Sequence, residues 1–244
     1  MASPTSTPTV QVCRDCGGGA PVDAHFCPQC TKILSLGRPG DYFAFIGLPR
    51  RLKIDLADLE QRFRALSRQF HPDFFYNAAP GERRASLERS SYLNDAYRTL
   101  RDPIARLEYL LRIEGFARDA GDRSPNVAHG DLPPMSIAVP PALLEEVFAL
   151  NEELDEVREA RAGGVPPEVW RGRLERARVP IEAKRLEHEA QLEELSARWD
   201  AVAGADAGDA RRRAVLEALR NRVLERNYIN NLLAGIEKEI GADT

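Results

Sequence analysis

Apolar residues recur at helical spacing in the first half of the chain. They begin after Asp55, a residue type that commonly caps a helix N-terminus, and continue at intervals of three or four residues through Leu56, Leu59, Phe63, Leu66 and Phe70. This spacing predicts one amphipathic helix. Because a proline disfavours helical backbone in the residue before it, Pro72 predicts that the helix ends at or just before His71.

Two further helices are predicted downstream of Pro72. Residues 93–102 have an amphipathic pattern that Pro103 stops, and a short helix follows from Ile104 to Ile113. The tripeptide His71-Pro72-Asp73 is therefore expected on a loop between helices. By itself this short motif also fits a helix C-terminus with a capping histidine, so its flanks decide what it means.

The second half of the chain predicts three long helices, over residues 142–162, 167–203 and 209–240. Glycine-containing segments at 163–166 and 204–208 separate them, and such short connections are typical of an antiparallel bundle. The stretch before the bundle lacks periodicity and collects prolines and glycines, which predicts a linker and a domain boundary.

The central and last helices of the bundle carry apolar residues that are expected to face its core. Pro180 lies inside the central one, where it must kink the helix or split it, because it removes a backbone donor and clashes with the preceding turn. Both alternatives are compatible with the sequence. The residues expected inside are Trp170, Leu174, Ala177, Ile181, Leu192, Leu195, Trp199 and Val202, then Val215, Leu219, Val223, Leu232, Ile236 and Ile240.

The composition is that of an ordinary soluble protein. The chain has 244 residues, 43% hydrophobic and 30% charged, which is enough for two small domains and a minor module. No apolar run is long enough for a membrane span, and the N-terminus lacks the layout of a signal peptide, so a cytoplasmic location is expected. The net charge of -4 gives no general attraction to nucleic acid.

All four cysteines lie in two CxxC pairs, Cys13 with Cys16 and Cys27 with Cys30. Two such pairs are typical of a tetrahedral site with four sulfur ligands, so we expect a structural zinc ion, with iron or a dithiol pair as alternatives. A disulfide framework is disfavoured because no signal peptide is evident. Four thiolates leave no open position for a catalytic water. His25, between the pairs, is either a replacement ligand or a surface residue.

Two other classes of function are disfavoured. A module with paired cysteines can bind nucleic acid, but residues 1–35 contain only Arg14 and Lys32 as cations, too few for phosphate neutralisation. No glycine-rich phosphate loop, nucleophile elbow or metal-hydrolase motif occurs, and His71 has no recognisable serine or cysteine partner. The sequence therefore predicts neither a nucleic-acid-binding protein nor an enzyme.

The segment from residue 41 to about residue 115 resembles a J-domain, the module with which DnaJ-type co-chaperones engage the ATPase domain of heat-shock chaperones. The resemblance is carried by His71-Pro72-Asp73, by the helices on either side and by Asn94-Asp95-Ala96-Tyr97, in the expected order. It implies that Asp73 pairs with an arginine of the chaperone. It also implies that Pro72 keeps the loop rigid and that His71 supports its shape.

Three arginines of the first helix, Arg62, Arg64 and Arg68, add to this resemblance. Taken alone, helical arginines usually mean only a solvated face. Beside the tripeptide they resemble the basic face that J-domains offer to an acidic groove of the chaperone. Charge of that kind speeds encounter and fixes orientation more than it adds affinity.

Residues 143–154 resemble the first helix of the C-terminal domain of the HscB-type co-chaperones of iron-sulfur cluster assembly, where a bundle likewise follows a J-domain and a linker. In that family the bundle binds a scaffold protein of the IscU type. The resemblance implies a scaffold-binding face formed by Leu144, Phe148 and Glu152, with Tyr228 from the last helix. Some eukaryotic members also carry paired N-terminal cysteines.

The match departs from the family pattern at Glu145, Ala149 and Asn151, where the family usually has Met, Glu and Arg. One alternative for the apolar residues is that Leu144 and Phe148 simply belong to the core, because a helix of a three-helix bundle buries about half of its surface.

The sequence thus predicts an all-α protein with a cysteine module (residues 1–36), a J-like hairpin (41–117), a linker (118–141) and an antiparallel three-helix bundle (142–244). The implied function is a co-chaperone that delivers an iron-sulfur scaffold protein to a heat-shock ATPase chaperone, of the HscA or DnaK type, and stimulates its ATP hydrolysis. No nucleic acid and no membrane is expected as a partner. The alternative is a J-domain adaptor for a different client, with no role in iron-sulfur assembly.

Overall fold

A computed structural model describes residues 10–36, 41–116, 143–203 and 208–241, and it confirms the all-α prediction. Within these ranges the chain forms seven α-helices and one two-stranded sheet. The chain divides into two compact units, Met1–Gly115 and Phe116–Thr244. The predicted linker at 118–141 lies outside the described residues. No helix in the described ranges is long and apolar enough to cross a membrane.

The cysteine module opens the first unit with a small antiparallel ribbon. Strand β1 (Val10–Val12) pairs with strand β2 (Gly19–Pro21), and Gln11 lies opposite Ala20. A two-stranded ribbon is marginally stable at best on its own. The core beneath it is small and includes two of the cysteines, since its buried members are Cys13, Ala20, Cys27 and Leu34.

Four α-helices complete the first unit: α1 (Tyr42–Ile46), α2 (Leu56–Phe70), α3 (Pro80–Arg101) and α4 (Pro103–Ile113). Aspartates cap three of them, because the side chains of Asp41, Asp55 and Asp102 each accept hydrogen bonds from backbone N–H groups of the first turn. Helix α2 ends at Phe70, as Pro72 predicted.

Helix α3 starts much earlier than its apolar pattern indicates. Its first residue is Pro80, whereas the amphipathic pattern is evident only from Leu93. A proline suits the first turn of a helix, because the N–H that it lacks would have no partner there. The intervening residues are mostly charged or small, so the helical period is weak in the sequence. This first half of α3 contacts both the cysteine module and the end of α2.

Helices α2 and α3 run antiparallel and form the centre of the J-like hairpin. Phe63 stacks on Tyr97 with 4.2 Å between ring centroids, while Phe70, further along α2, meets the early part of α3. Leu56, at the first turn of α2, is exposed. The fully buried large residues of the hairpin are Phe43, Leu59, Phe70, Leu93, Leu100, Leu107 and Leu110.

The second unit is a bundle of three long helices: α5 (Leu144–Ala162), α6 (Pro167–Ala203) and α7 (Asp209–Gly241). Their bounds agree closely with the predicted ranges. Helix α6 runs through Pro180 without a break, so the chain is not split there. Pro180 is exposed, so its ring does not enter the core of the bundle.

The core of the bundle contains most of the residues that were expected inside, although Ala177, Leu232 and Ile240 are only partly buried. Leu216, which the sequence analysis did not select, is buried. The central cluster consists of Leu143, Leu150, Leu154, Val157, Trp170, Leu174, Ile181, Ile229, Leu233 and Ile236.

Candidate functional site

The tripeptide His71-Pro72-Asp73 follows α2 directly and lies in the connection between α2 and α3. Residues Pro72–Phe75 form one turn of 3-10 helix. The turn forms because proline suits its first position and because His71 caps it, with Nδ1 accepting a hydrogen bond from the Asp73 N–H at 3.3 Å. We call residues 71–75 the HPD turn.

The carboxylate of Asp73 faces solvent. Its side chain is 86% exposed, and Nδ1 of the half-exposed His71 lies 3.5 Å from Oδ2. Two aromatic side chains beside it, Phe74 and Tyr76, are 73% and 77% exposed. An exposed carboxylate close in the chain to two exposed aromatic side chains has the character of a docking surface.

The start of the HPD turn is held firmly, in contrast to its tip. The last carbonyl groups of a helix lack partners within the helix. At the end of α2 the carbonyl of Phe70 accepts hydrogen bonds from Ser86 Oγ at 2.6 Å and Ser90 Oγ at 2.8 Å, both on α3. The ring of Phe70 is fully buried. The residue immediately before His71 is therefore held by both its backbone and its side chain.

The three arginines of the predicted basic face have different surroundings. Arg62 is already engaged, because its Nε donates to Asp58 at 2.8 Å and its Nη1 donates to the carbonyl of Gly47 at 2.7 Å. Arg64 forms an ion pair with the glutamate one turn before it. Arg68 is exposed and forms no ion pair among the described residues. It is the cation of this set that is free to meet a partner.

The four cysteines come together in the first unit as a possible metal site. Their Sγ atoms all lie within 4.8 Å of one another, with 3.6 Å between Cys13 and Cys30 and between Cys16 and Cys27. A tetrahedral ion with metal-sulfur bonds of about 2.3 Å would separate its ligands by about 3.8 Å. The cysteines are not joined as disulfides. Their arrangement fits one tetrahedral ion.

The two CxxC pairs have the same backbone geometry. The N–H of Gly17 donates to the carbonyl of Cys13, and the N–H of Thr31 donates to that of Cys27, each at 2.9 Å. Both donors have positive φ, 72° at Gly17 and 59° at Thr31. This backbone suits glycine, whereas a β-branched residue rarely adopts it. The second pair keeps the geometry despite that cost, as expected if both pairs serve one ion.

The thiols differ strongly in acidity. Hydrogen bonds from the backbone N–H groups of Cys30 and Gln29 lower the pKa of Cys27 to about 7. The N–H of Lys32 also lowers the pKa of Cys30, but desolvation and hydrogen bonds to the other sulfurs outweigh it and raise that pKa to about 12. The four sulfurs therefore do not ionise together without a cation, and a bound metal would replace their protons.

His25 is neither a replacement ligand nor a freely exposed surface residue. Its ring packs edge-on against Phe45 at 4.9 Å and Phe70 at 5.0 Å, and its Nδ1 accepts a hydrogen bond from Arg89 Nη1 at 2.8 Å. Burial, and then the charge of Arg89, lowers the pKa of His25 to about 4. The imidazole is thus neutral near pH 7, and it joins the cysteine module to the J-like hairpin.

The sequence pattern did not by itself indicate that Arg89 is a buried contact residue. It lies in the first half of α3, where the weak apolar period concealed the helix, and it is only 3% exposed. A signal was present, since Ser86, Arg89 and Ser90 share one face at helical spacing. A polar face of this kind is usually read as solvated, and only the packed structure shows that it is covered.

The candidate scaffold-binding residues on α5 point away from the core. Leu144 is 38% exposed and Phe148 is 69% exposed, so the alternative in which both belong to the core does not hold. Glu152, one turn further on, is also exposed. Tyr228 on α7 is partly buried against the core cluster. Leu144, Phe148 and Glu152 form one outer stripe of α5, because residues four apart share a helix face.

The residues that depart from the family pattern lie beside this stripe. Glu145, Ala149 and Asn151 are all exposed. Glu145 and Ala149 also line a groove of about 460 Å³ between α5 and α6, whose other wall includes Pro180 and Ile181. The outer surface of α5 thus combines an apolar stripe with a neighbouring shallow groove.

Comparison with known proteins gives the fold a precedent. No protein-family model matches the chain. Human co-chaperone protein HscB superposes with a TM-score of 0.62 at 24% sequence identity, over 95% of this chain and 100% of the human one. Chaperone HscB from Vibrio cholerae gives a TM-score of 0.49 at 26% identity, over 82% and 96% of the two chains. The predicted resemblance to HscB-type co-chaperones is therefore confirmed at the level of the fold.

Proposed function

We propose that this chain is a J-domain co-chaperone that brings an iron-sulfur scaffold protein to a heat-shock ATPase chaperone and stimulates ATP hydrolysis there. One observation carries the proposal: a solvent-facing Asp73 on a firmly anchored turn, in a chain with the fold of human co-chaperone protein HscB. The chain itself catalyses no reaction in this proposal, and it acts by binding two partners.

The HPD turn supplies the contact with the chaperone. The Asp73 carboxylate would pair with an arginine of the ATPase domain, and this pairing would favour the conformer that hydrolyses ATP, which shifts the chaperone's population. Because Phe70 holds the start of the turn, docking orders little additional backbone, and less binding free energy is lost to ordering. The free charge of Arg68 would assist the encounter.

The outer stripe of α5 supplies the contact with the scaffold protein. Leu144 and Phe148 offer an apolar anchor, and Glu152 adds a carboxylate at the rim. An exposed aromatic anchor with a polar rim is the usual energetic centre of an interface. The exposed part of Tyr228 would contribute from α7. The stripe and the HPD turn belong to different compact units, so each partner has its own surface.

The cysteine module would hold one zinc ion. The residues present fit it, since four sulfurs lie at nearly tetrahedral separations. When bound, zinc would neutralise the thiolates and cross-link a module whose apolar core is too small to fold alone.

The test is single-turnover ATP hydrolysis by the heat-shock ATPase of the source cell, with and without the co-chaperone. We expect His71→Gln and Asp73→Asn to abolish stimulation, because each removes a member of the chaperone contact or its support. Scaffold binding should persist, and the free energy of unfolding should change by less than about 0.5 kcal/mol, since the turn is exposed.

A matched control for the lost charge is Asp155→Asn, an exposed aspartate of α5 that pairs only with Arg158 among the described residues. It should stimulate like the wild type. If Asp73→Asn also stimulates like the wild type, the proposed mechanism is wrong, whatever the fold.

A second candidate, an adaptor for a different client, is favoured by one observation. Ala149 and Asn151 are exposed and uncharged at positions where HscB-type proteins usually carry charged residues. Calorimetric titration of the full chain with the source cell's IscU-type scaffold separates the two. Binding in the micromolar range or tighter supports the iron-sulfur role, whereas stimulated ATP hydrolysis without scaffold binding supports the adaptor.

A further inference from the structure

The cysteine module and the J-like hairpin are joined by one buried arginine. Arg89 of α3 points its guanidinium into the module, where Nε donates to the carbonyl of Leu34 at 2.7 Å and Nη2 donates to that of Ala24 at 3.3 Å. Nη2 also reaches the carbonyl of Ser35 at 3.5 Å, and Nη1 donates to His25. Every one of these acceptors belongs to the cysteine module.

This contact is specific to the folded module. Burial lowers the pKa of Arg89 only to about 10, so the guanidinium is charged near pH 7 and needs the acceptors that surround it. Four groups of the module, three carbonyls and an imidazole nitrogen, supply them. If the module unfolded, these acceptors would leave and the cation would lose the partners that stabilise it in the interior.

The same arginine contacts the residue that precedes the HPD turn. Its guanidinium carbon lies 5.7 Å from the ring centroid of Phe70 and 5.9 Å from that of Phe45. His25 and Phe26 of the module cover other sides of the Phe70 ring, with centroids 5.0 Å and 6.1 Å away. The module and Arg89 together therefore enclose the aromatic ring at the end of α2.

The backbone of Phe70 is held by the same stretch of α3. Ser86 and Ser90, one turn apart and on either side of Arg89, both donate to its carbonyl. Phe70 is thus fixed by its ring to the module and by its carbonyl to α3, and His71 follows in the chain. Phe70 therefore offers a route by which a change in the module reaches the HPD turn, because Arg89, His25 and Phe26 all contact its ring.

We infer that Arg89 is a positioning residue through which the folded cysteine module braces the HPD turn, so that metal binding, by folding the module, sets how well the turn is ordered. Its bearing on a chaperone rests on the proposed function, but the brace itself does not. The cysteine module thus supports the J-like hairpin and is not an independent appendage.

The first measurement is hydrogen exchange of the full chain over peptides that include residues 66–78, with one equivalent of Zn²⁺ and after its removal by a chelator. Removal should speed exchange in the HPD turn and the last turn of α2 by at least about tenfold, because both lose the cover on Phe70. Exchange in α7, which lies in the other compact unit, serves as the internal reference and should not change.

The second measurement uses variants of Arg89 to test the route. With Zn²⁺ bound, Arg89→Ala should exchange in the turn several-fold faster than the wild type, and chelation should then add less than it adds in the wild type, because only the contacts of His25 and Phe26 with Phe70 remain to be lost. Arg89→Lys keeps a buried cation with fewer donors, so it should restore part of the protection. Arg83→Ala, at an exposed arginine on the same helix whose side chain makes no hydrogen bond or ion pair among the described residues, should behave like the wild type.

Two results would overturn the inference. One is unchanged exchange in the turn after zinc has demonstrably left the wild type. The other is an Arg89→Ala protein that still responds fully to zinc. If Arg89→Ala unfolds the whole hairpin, rapid exchange throughout α2 and α3 would reveal it. Exchange in the HPD turn of Cys27→Ser and of the chelated wild type then decides whether the folded module orders the turn. A turn that responds to zinc in a protein that stimulates no chaperone would refute the proposed function and leave the brace intact.

Discussion

Single arginines of the first unit have separate tasks that depend on their partners. Arg89 is buried, and its guanidinium donates to backbone carbonyls of the cysteine module. Arg62 links α2 to the end of α1 through the carbonyl of Gly47. Arg68 is exposed and forms no ion pair among the described residues. All three are arginines of helices. What differs is whether another segment of the chain lies over the guanidinium, and this decides between structural and docking roles.

The contrast between Arg62 and Arg68 is testable. We expect Arg68→Ala to weaken stimulation of the chaperone only partly. Its deficit relative to the wild type should shrink as salt is added, because salt already screens the exposed charge of the wild type. Its unfolding free energy should stay within about 0.5 kcal/mol of the wild type. Arg62→Ala should instead lower stability by about 1 kcal/mol, because it removes a hydrogen bond to a backbone carbonyl and an ion pair.

Urea unfolding and ATP hydrolysis at two salt concentrations, on the same two preparations, would check this. The assignment fails if Arg62→Ala unfolds like the wild type or if Arg68→Ala proves the less stable of the two.

At the scale of elements, α5 shows how one helix serves two purposes. Val147, Leu150, Leu154 and Val157 face the core, while Leu144 and Phe148 face outward. Both sets are apolar, so the helix has apolar residues around most of its N-terminal circumference. The outward set is exposed and so contributes little to folding, and in the proposed function it meets the scaffold protein.

The double variant Leu144→Ala with Phe148→Ala should lose scaffold binding with little change in melting temperature, because the exposed side chains leave no cavity when shortened. The matched control is Leu150→Ala on the inner face of the same helix, where truncation should cost about 2–5 kcal/mol. Titration with the scaffold protein and thermal melts of all variants provide the measurement. A melting temperature that collapses in the double variant would exclude an interface role for these residues.

Helices α6 and α7 bury a titratable group between them. His188 is 4% exposed, its Nε2 lacks a hydrogen-bond partner among the described residues, and Glu225 Oε2 lies 3.7 Å away. Burial, and then the charge of Arg222, lowers the pKa of His188, although Glu225 acts in the opposite direction. The folded bundle therefore binds a proton at this site less readily than the unfolded chain.

The sign of the pH dependence follows from that lowered pKa. Below the ordinary histidine pKa of 6.5 the unfolded state binds more protons at this site than the folded state does. The free energy of unfolding therefore falls as the pH drops below 6.5, and the full contribution of neutral His188 is retained above that pH. His188→Gln should flatten this dependence. Urea unfolding followed by tryptophan fluorescence reports on the bundle alone, because Trp170 and Trp199 both lie in α6. Equal pH slopes for the variant and the wild type would contradict the assignment.

At the scale of the whole molecule, the cysteine module belongs to the first compact unit. We expect the purified chain to carry about one equivalent of zinc. Cys27→Ser should release it and lower the melting temperature of the first unit, because the metal supplies most of the module's folding free energy. Tryptophan fluorescence should show the second unit unchanged.

Metal analysis and a two-probe melt would check this prediction, with far-UV circular dichroism following all helices and fluorescence following α6. Cys16→Ser is a matched variant, since it removes another sulfur of the same set and should have the same effect. A coloured preparation would identify iron in place of zinc. A metal-free protein, or one with a reducible disulfide, would count against the site.

The helix bounds of the bundle could be predicted closely because periodicity and the glycine-rich breaks are local properties. The start of α3 could not, since Pro80 and the charged residues after it conceal the period there. The HPD turn was expected on a loop between helices, but its single 3-10 turn was not predicted, because so short an element leaves no pattern in a sequence. His25 was expected at a metal or at the surface, because nothing nearby in the chain reveals the rings of Phe45 and Phe70 that cover it.

The sequence by itself determined the helices of the bundle, where α2 ends, and that four cysteines form two equivalent pairs, because spacing and proline act on neighbouring residues. Only the tertiary structure decided that Phe148 lies outside the core, that Arg89 and His25 lie inside an interface, and that the cysteine module rests on Phe70. Periodicity indicates which face of a helix a residue lies on. Whether that face is covered depends on segments distant in the chain, and their packing is what separates a core, an interface and a docking surface.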